Sequence, residues 1–252
     1  MSFDVGADAY LRFMGRFSEP LGPLFAGLAG VRAGQRALDV GCGPGALSAE
    51  LVRRLGAGAV SAVEPSASFA AAAARRLPGV DVRRAAAEQL PFPAGVFDVT
   101  LAQLVVHFMP DPVAGLRDMG RVTRPGGTVA ACVWDHAGER GPLTAFWRAV
   151  RELDPTASDE SDLAGAREGD LARRFAAAGL AGARASTLTV RARYATFDEW
   201  WEPFAFGIGP AGDYAASLDP GRRGLLRERC RRLLGAAPFE IDATAWAVTC
   251  RT

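Results

Sequence analysis

The stretch Ala37-Leu38-Asp39-Val40-Gly41-Cys42-Gly43-Pro44-Gly45 constrains this chain more than any other. A short apolar strand carries an acid and runs straight into three glycines at alternate positions. Glycine there lets the backbone turn tightly and lets a ligand come close to the main chain. The turn opens a helix over Gly45–Leu55, with Leu47, Leu51 and Leu55 on one face. A second apolar run, Ala59–Val63, follows and ends at Glu64. Strand, glycine turn, amphipathic helix and a second strand with a terminal acid form the opening unit of a doubly wound α/β sheet. Ligands of such sheets bind beyond the carboxyl ends of the strands.

The alternation continues along the chain. Strands are expected at 36–40, 59–63, 80–84, 97–101, 128–134, 184–193 and 239–249. Helices are expected at 66–77, capped by Ser66, and at 111–123, ended by Pro125-Gly126-Gly127. Two more fall at 143–153 and 168–178. Ser18 reads as the cap of a helix through Ala29, with Pro20 and Pro23 in its first turns. The organisation that follows is an N-terminal arm and helix over 1–35 and an α/β core over 36–135. An insertion at 136–166, a core helix and strand at 167–195, a second insertion at 196–236 and a final strand at 237–252 complete it. The fold class is therefore α/β: a doubly wound, mostly parallel, seven-stranded Rossmann-like sheet, with a partly helical cap from the two insertions.

Composition removes several classes of function. A chain of 252 residues with 49% hydrophobic content can bury a sizeable core. A net charge of +1 gives no electrostatic case for nucleic acid or a membrane surface as partner. All 29 basic residues are arginine. Without lysine there is no Schiff-base chemistry and no phosphate-loop lysine. The four cysteines, Cys42, Cys132, Cys230 and Cys250, form no C-x-x-C pair, so no metal site is expected. They read as free thiols in a reducing compartment. No charged-then-apolar leader and no long uncharged apolar window is visible, so the expected location is the cytoplasm.

The glycine turn can be forced into the dinucleotide pattern G-x-G-x-x-G/A with Ala46 last. Two residues argue against a pyrophosphate there. Asp39 would set a carboxylate beside it, whereas a carboxylate suits an ammonium group. Pro44 removes one of the N–H donors a phosphate would use. Glu64 suits a grip on both hydroxyls of a ribose with either kind of cofactor.

With Asp39, the glycine turn and Glu64 in register, the chain resembles the class I S-adenosylmethionine-dependent methyltransferases over residues 8–135 or so. The resemblance extends to Glu88-Gln89-Leu90-Pro91-Phe92, to Gln103-Leu104-Val105-Val106-His107-Phe108-Met109-Pro110-Asp111 and to Arg121-Val122-Thr123-Arg124-Pro125-Gly126-Gly127. The arm Tyr10–Ser18 is similar to the start of a small-molecule-directed subgroup. The resemblance implies S-adenosylmethionine as cofactor and S-adenosylhomocysteine as product. It places Asp39, Gly41 and Gly43 at the methionyl end, with Cys42 in the same turn, and Glu64 at the ribose. Pro65 and Ser66 would line the adenine. Where the family often carries an adenine-binding aspartate this chain has Ala86, which leaves the adenine to backbone around Ala87, or to Glu88 or Gln89. Gln103 would lie beneath the methionyl group. Tyr10 and Arg16 would close the pocket, Arg16 as partner of the cofactor carboxylate.

His107 follows the fourth strand, where a base could meet the acceptor. It reads either as that catalytic base or as a packing or substrate contact. His136, after the fifth strand, has the same two readings. Trp200, Trp201, Phe204 and Phe206 are spaced as a core stripe. The arginines at 222–232 read as a solvated helix face, so no nucleic acid is expected as partner. The function expected is in-line methyl transfer to a small molecule. The alternatives are an NAD-linked oxidoreductase and a catalytically silent cofactor-binding module.

Overall fold

Tyr10 opens a π-helical turn, Leu11–Gly15, that runs without a break into helix α1, Arg16–Leu28. Ser18 is therefore not a cap. It is buried and lies inside the helix, which also contains the exposed Pro20 and Pro23. The reason is a stripe at intervals of four, Phe13, Phe17, Leu21 and Phe25, all buried. Removing those aromatic and aliphatic faces from water outweighs the missing cap and the absent proline N–H groups. A computed structural model describes residues 10–252; the part of the expected arm at residues 1–9 lies outside the described residues.

From there strands and helices alternate. β1 (Ala37–Val40), α2 (Ala46–Leu55), β2 (Val60–Val63), α3 (Ala67–Arg76) and β3 (Asp81–Arg83) form the first half. β4 (Phe97–Gln103), α4 (Pro112–Val122) and β5 (Thr123–Trp134) follow. Ser66 caps α3 by accepting the Phe69 N–H, and Asp111 caps α4 by accepting that of Ala114. β5 starts directly at the end of α4, so Pro125-Gly126-Gly127 lies within the strand rather than in a turn that ends the helix. Gly127 has no room for a side chain: a Cβ would sit 2.8 Å from the Arg124 and Asp98 carbonyl oxygens. The later elements are α5 (Thr144–Leu153), α6 (Asp170–Ala177), β6 (Arg184–Tyr194), α7 (Phe197–Trp201), α8 (Gly209–Ser217), α9 (Pro220–Leu234) and β7 (Phe239–Arg251).

The seven strands form one sheet in the order β3-β2-β1-β4-β5-β7-β6. β1 to β5 pair in parallel, and β7 runs antiparallel to both β5 and β6. Connections leave β1 for one side of the sheet and β4 for the other. The order thus reverses between β1 and β4, and a crevice opens at their carboxyl ends.

Alternation along the strands divides the interior in two. Ala37, Val99, Leu101, Ala130 and Cys132 face one core, shared with α1, α2 and α5. Leu38, Val40, Ala102, Val129, Ala131 and Val133 face the other, shared with α4 and α6. Trp200, Trp201 and Phe204 join the first core, where Phe204 stacks on Phe146 at 4.5 Å. Phe206 is exposed. On α9, Leu226 and Cys230 are buried, while Arg227 and Arg231 pair with Asp198 and Arg229 with Glu152. The four cysteines are free and buried. Among the described residues no helix is long and apolar enough to cross a membrane.

Candidate active site

A cavity of about 420 Å³ opens at the carboxyl ends of β1, β2 and β4. Its floor is the glycine turn. Gly41 and Cys42 both donate their N–H groups to the Val63 carbonyl, tying the turn to β2. Gly41 has φ +70°, and a Cβ there would lie 2.3 Å from Val105 Cγ2. Gly43 also has positive φ, but a Cβ there would meet nothing within 4 Å. The turn therefore presents bare backbone to open space.

Two carboxylates stand at the edges of this turn. Asp39 is buried and accepts the Ser48 hydroxyl at 2.6 Å. Burial pushes its carboxyl up to about 7; the nearby Glu64 adds to the rise and the Ser48 hydrogen bond opposes it. Glu64 accepts the Gly43 N–H on one oxygen and the Ser66 N–H on the other, each at 2.9 Å. Its carboxyl is also raised, chiefly by burial. One side chain thus fixes both the glycine turn and the start of α3. Burial pushes the Cys42 thiol well up, with Asp39 and Glu64 adding, so it serves as a neutral wall group.

The remaining walls come from distant segments. Pro65, Ala86, Ala87 and Glu88 line one side. Glu88 also accepts the Asp111 N–H. Tyr10 packs on Phe69, ring centroids 5.3 Å apart. Burial, helped by Glu64, pushes the Tyr10 hydroxyl up to about 12. Gln103 donates its Nε2 to the Ser18 carbonyl at 2.9 Å. Its Oε1 and the Ser18 Oγ are buried without a hydrogen-bond partner. Both residues line the cavity.

Tyr10, Asp39, Gly41, Cys42, Gly43, Glu64, Pro65, Ala87, Glu88 and Gln103 are thus brought together. Arg16 is not. It donates to the Arg193 carbonyl, pairs with Glu199 and lies over the Tyr194 ring at 4.9 Å. Positions 16 and 18 point to opposite sides of a helix. With Ser18 facing the cavity, Arg16 is turned toward β6, where an acid and a carbonyl satisfy it. Arg16→Ala is accordingly expected to leave cofactor affinity within about twofold in a calorimetric titration, since an exposed ion pair contributes about 1 kcal/mol or less. A tenfold loss would return Arg16 to the pocket.

Sequence reading missed Ser18, Phe69, Leu104 and Val105 as lining residues. Ser18 was assigned to a cap. Leu104 has no signal in the sequence: its left-handed backbone, φ +61°, is held by an N–H to the Cys132 carbonyl. That conformation is uncommon for a bulky residue and is imposed by its surroundings.

Leu104, Tyr10 and Phe108 also line a second, smaller chamber of about 50 Å³. His107 and His136 both face this chamber, with ring centroids 6.2 Å apart. Burial, with His136 adding, takes His107 down to about 3, so its imidazole is neutral. Its Nδ1 has no hydrogen-bond partner. Glu160, from the 136–166 stretch, lies 4.0 Å from His136 Nδ1 and accepts the Trp147 indole N–H at 2.7 Å.

A mostly parallel sheet with this switch point, a glycine turn after β1 and acids near the ends of β1 and β2 frame the cavity. Residues 38–131 match the family described as a methyltransferase domain. A demethylmenaquinone methyltransferase of Mycolicibacterium paratuberculosis is 36% identical over 128 residues, 51% of this chain and 50% of that protein. An uncharacterised protein of Mycobacterium tuberculosis is 33% identical over 138 residues, 54% of this chain and 50% of that one. The chain spans about half the length of the curated relatives it matches. The YcgJ protein of Bacillus subtilis has the same fold, with a TM-score of 0.59 at 18% identity, covering 92% of this chain and 97% of that one.

The residues present fit S-adenosylmethionine. The described lining residues include Asp39, Glu64 and Glu88 and no arginine. Such a wall suits a ligand bearing a sulfonium and an ammonium and opposes a pyrophosphate. Two unpartnered oxygens, Ser18 Oγ and Gln103 Oε1, remain to accept hydrogen bonds.

Proposed function

We propose that the protein transfers a methyl group from S-adenosylmethionine to a small-molecule acceptor. The observation that carries this reading is the glycine-floored cavity edged by Asp39 and Glu64, with no arginine among its described lining residues. Bound S-adenosylmethionine supplies a methyl group on cationic sulfur, which leaves as a neutral thioether. Asp39, with the Gln103 and Ser18 oxygens, holds the ammonium. Glu64 holds the ribose hydroxyls with the lone pairs its two backbone N–H contacts leave free. Tyr10 and Leu104, common to both chambers, set the boundary across which donor and acceptor meet. His107 lines the acceptor side, and its role there is positional because burial opposes the imidazolium that a base would have to become. Alignment of this kind can supply roughly 7–11 kcal/mol of the barrier. The partner in this reading is a small molecule; Arg227, Arg229 and Arg231 of α9 are engaged by Asp198 and Glu152.

Calorimetric titration with S-adenosylmethionine, with NADH as control, tests the reading. Micromolar binding of S-adenosylmethionine and none of NADH is the expected result. Binding of NADH instead would overturn it. Binding without S-adenosylhomocysteine formation against a broad acceptor panel would favour a silent cofactor-binding module.

A further inference from the structure

The second chamber contains polar atoms that the fold leaves unsatisfied. His107 Nδ1, His136 Nε2 and Trp134 Nε1 are all buried without hydrogen-bond partners, and all three residues line it. A buried polar atom with no partner is destabilising, so three in one place mark a position where a ligand's polar group is received. The other walls are apolar: Phe13, Met14, Leu143 and Ile208. The one carboxylate is Glu160, and no arginine is among the described lining residues. An anionic acceptor would lose its hydration there and meet a negative neighbour. The space, about 50 Å³, holds about four waters or the reacting end of an acceptor.

Resting on the methyltransferase reading, we propose that this chamber is the acceptor subsite. It takes a neutral, apolar molecule that presents a hydroxyl, and His136, positioned by Glu160, receives the hydroxyl proton. The two histidines divide the work by their neighbours. Glu160 faces His136 Nδ1 at 4.0 Å and is held in place by Trp147. That carboxylate lies on the Nδ1 side of the ring, which leaves Nε2, buried without a partner, to meet the acceptor. His107 has no carboxylate partner and stays neutral. The other charged groups near Glu160 are Arg151, Glu139 and Asp159, and Arg151 pairs with both acids. In the step, the acceptor oxygen forms its bond to the methyl carbon as the carbon–sulfur bond breaks, with that electron pair remaining on sulfur. The hydroxyl proton passes to His136 Nε2 and then to solvent. The products are a methyl ether, a neutral thioether and one proton.

The chain contains two histidines, and both line this chamber, so histidine-selective ¹⁵N labelling reads the subsite directly. The probe is phenol, with benzoate as its anionic counterpart, added to protein saturated with S-adenosylhomocysteine. Phenol is expected to move the His136 Nε2 resonance, and benzoate to leave it in place at the same concentration. In Glu160→Gln the His136 ¹⁵N shifts are expected to move. In His136→Gln, turnover of a hydroxylated acceptor drawn from a phenol panel is expected to fall at least 100-fold. Binding of S-adenosylmethionine should be unchanged in both variants, which shows that they fold. Imidazole resonances that ignore phenol, or respond equally to benzoate, overturn the proposal. The parent reading fails separately, through absence of S-adenosylmethionine binding by the unmutated protein.

Discussion

Asp39→Asn is expected to make the ligand-free protein more stable and to remove most of its affinity for the cofactor. The folded carboxyl holds its proton up to about pH 7, while an unfolded aspartate releases its proton near 3.8. Between those values the folded state binds more protons, so stability falls as pH rises through the window and stays reduced above it. The full penalty is on the order of 4 kcal/mol. Asparagine carries no charge at any pH and keeps an oxygen to accept the Ser48 hydroxyl. At pH 8 the variant is expected to melt roughly 5–10 °C higher, with the gap closing as pH falls toward 4. Calorimetry should show affinity for S-adenosylmethionine down about 100-fold, because a buried charge opposite the ammonium is gone. A variant less stable than the parent at pH 8 would mean that Asp39 is not strained by its burial. The site would then be stabilised by its acid rather than held ready for a cation.

Gly41→Ala is expected to be the most damaging single methyl in the glycine turn. The added carbon would lie 2.3 Å from Val105 Cγ2 and 2.8 Å from Val105 Cβ, at a φ of +70° that side chains rarely adopt. Relieving the clash moves either the turn, whose next glycine N–H is held by Glu64, or the wall segment at 104–105. The loss expected in denaturant unfolding is about 2–4 kcal/mol, together with loss of detectable cofactor binding. Adding Val105→Ala removes both Cγ atoms but not the positive φ or the Cβ contact. The double variant should therefore recover part of the stability and little of the binding. Full recovery would assign the whole effect to Val105. An unaffected single variant would mean that the turn is looser than its packing indicates.

The glycine-floored half of the site was legible in the sequence because its determinants are local. An acid two residues before a glycine turn, and another at the end of the next strand, reach the same crevice by the connectivity of two neighbouring parallel strands. The four residues of β1 pair directly with those of β2, with Asp39 opposite Ala62, which brings Glu64 two residues further on at the same end of the sheet. Ser66 was readable as a cap for the same reason: it satisfies a backbone N–H three residues ahead. Ser18 was misread because a cap residue and a buried helical serine look alike until the stripe Phe13, Phe17, Leu21 and Phe25 is seen to begin before it. Pro125-Gly126-Gly127 has the composition of a turn. It lies in β5 as an irregularity: β4 pairs with Thr123 and next with Thr128, while the Gly126 N–H and the Gly127 carbonyl bond to Thr252 just past β7.

By itself, then, the sequence determined the strands of the sheet and the glycine floor of the cavity, since each is decided by backbone geometry and hydrogen bonding over a few neighbouring residues. Only the tertiary structure decided where Arg16 points, because its partner Glu199 lies 183 residues away. It alone brought His107, His136, Glu160 and Ile208 to one chamber, from four segments with no shared periodicity. Side-chain direction on a helix, and the company a buried imidazole keeps, depend on which surfaces pack together. That choice is made by burial of apolar area across the whole chain, and no local run of residues records it.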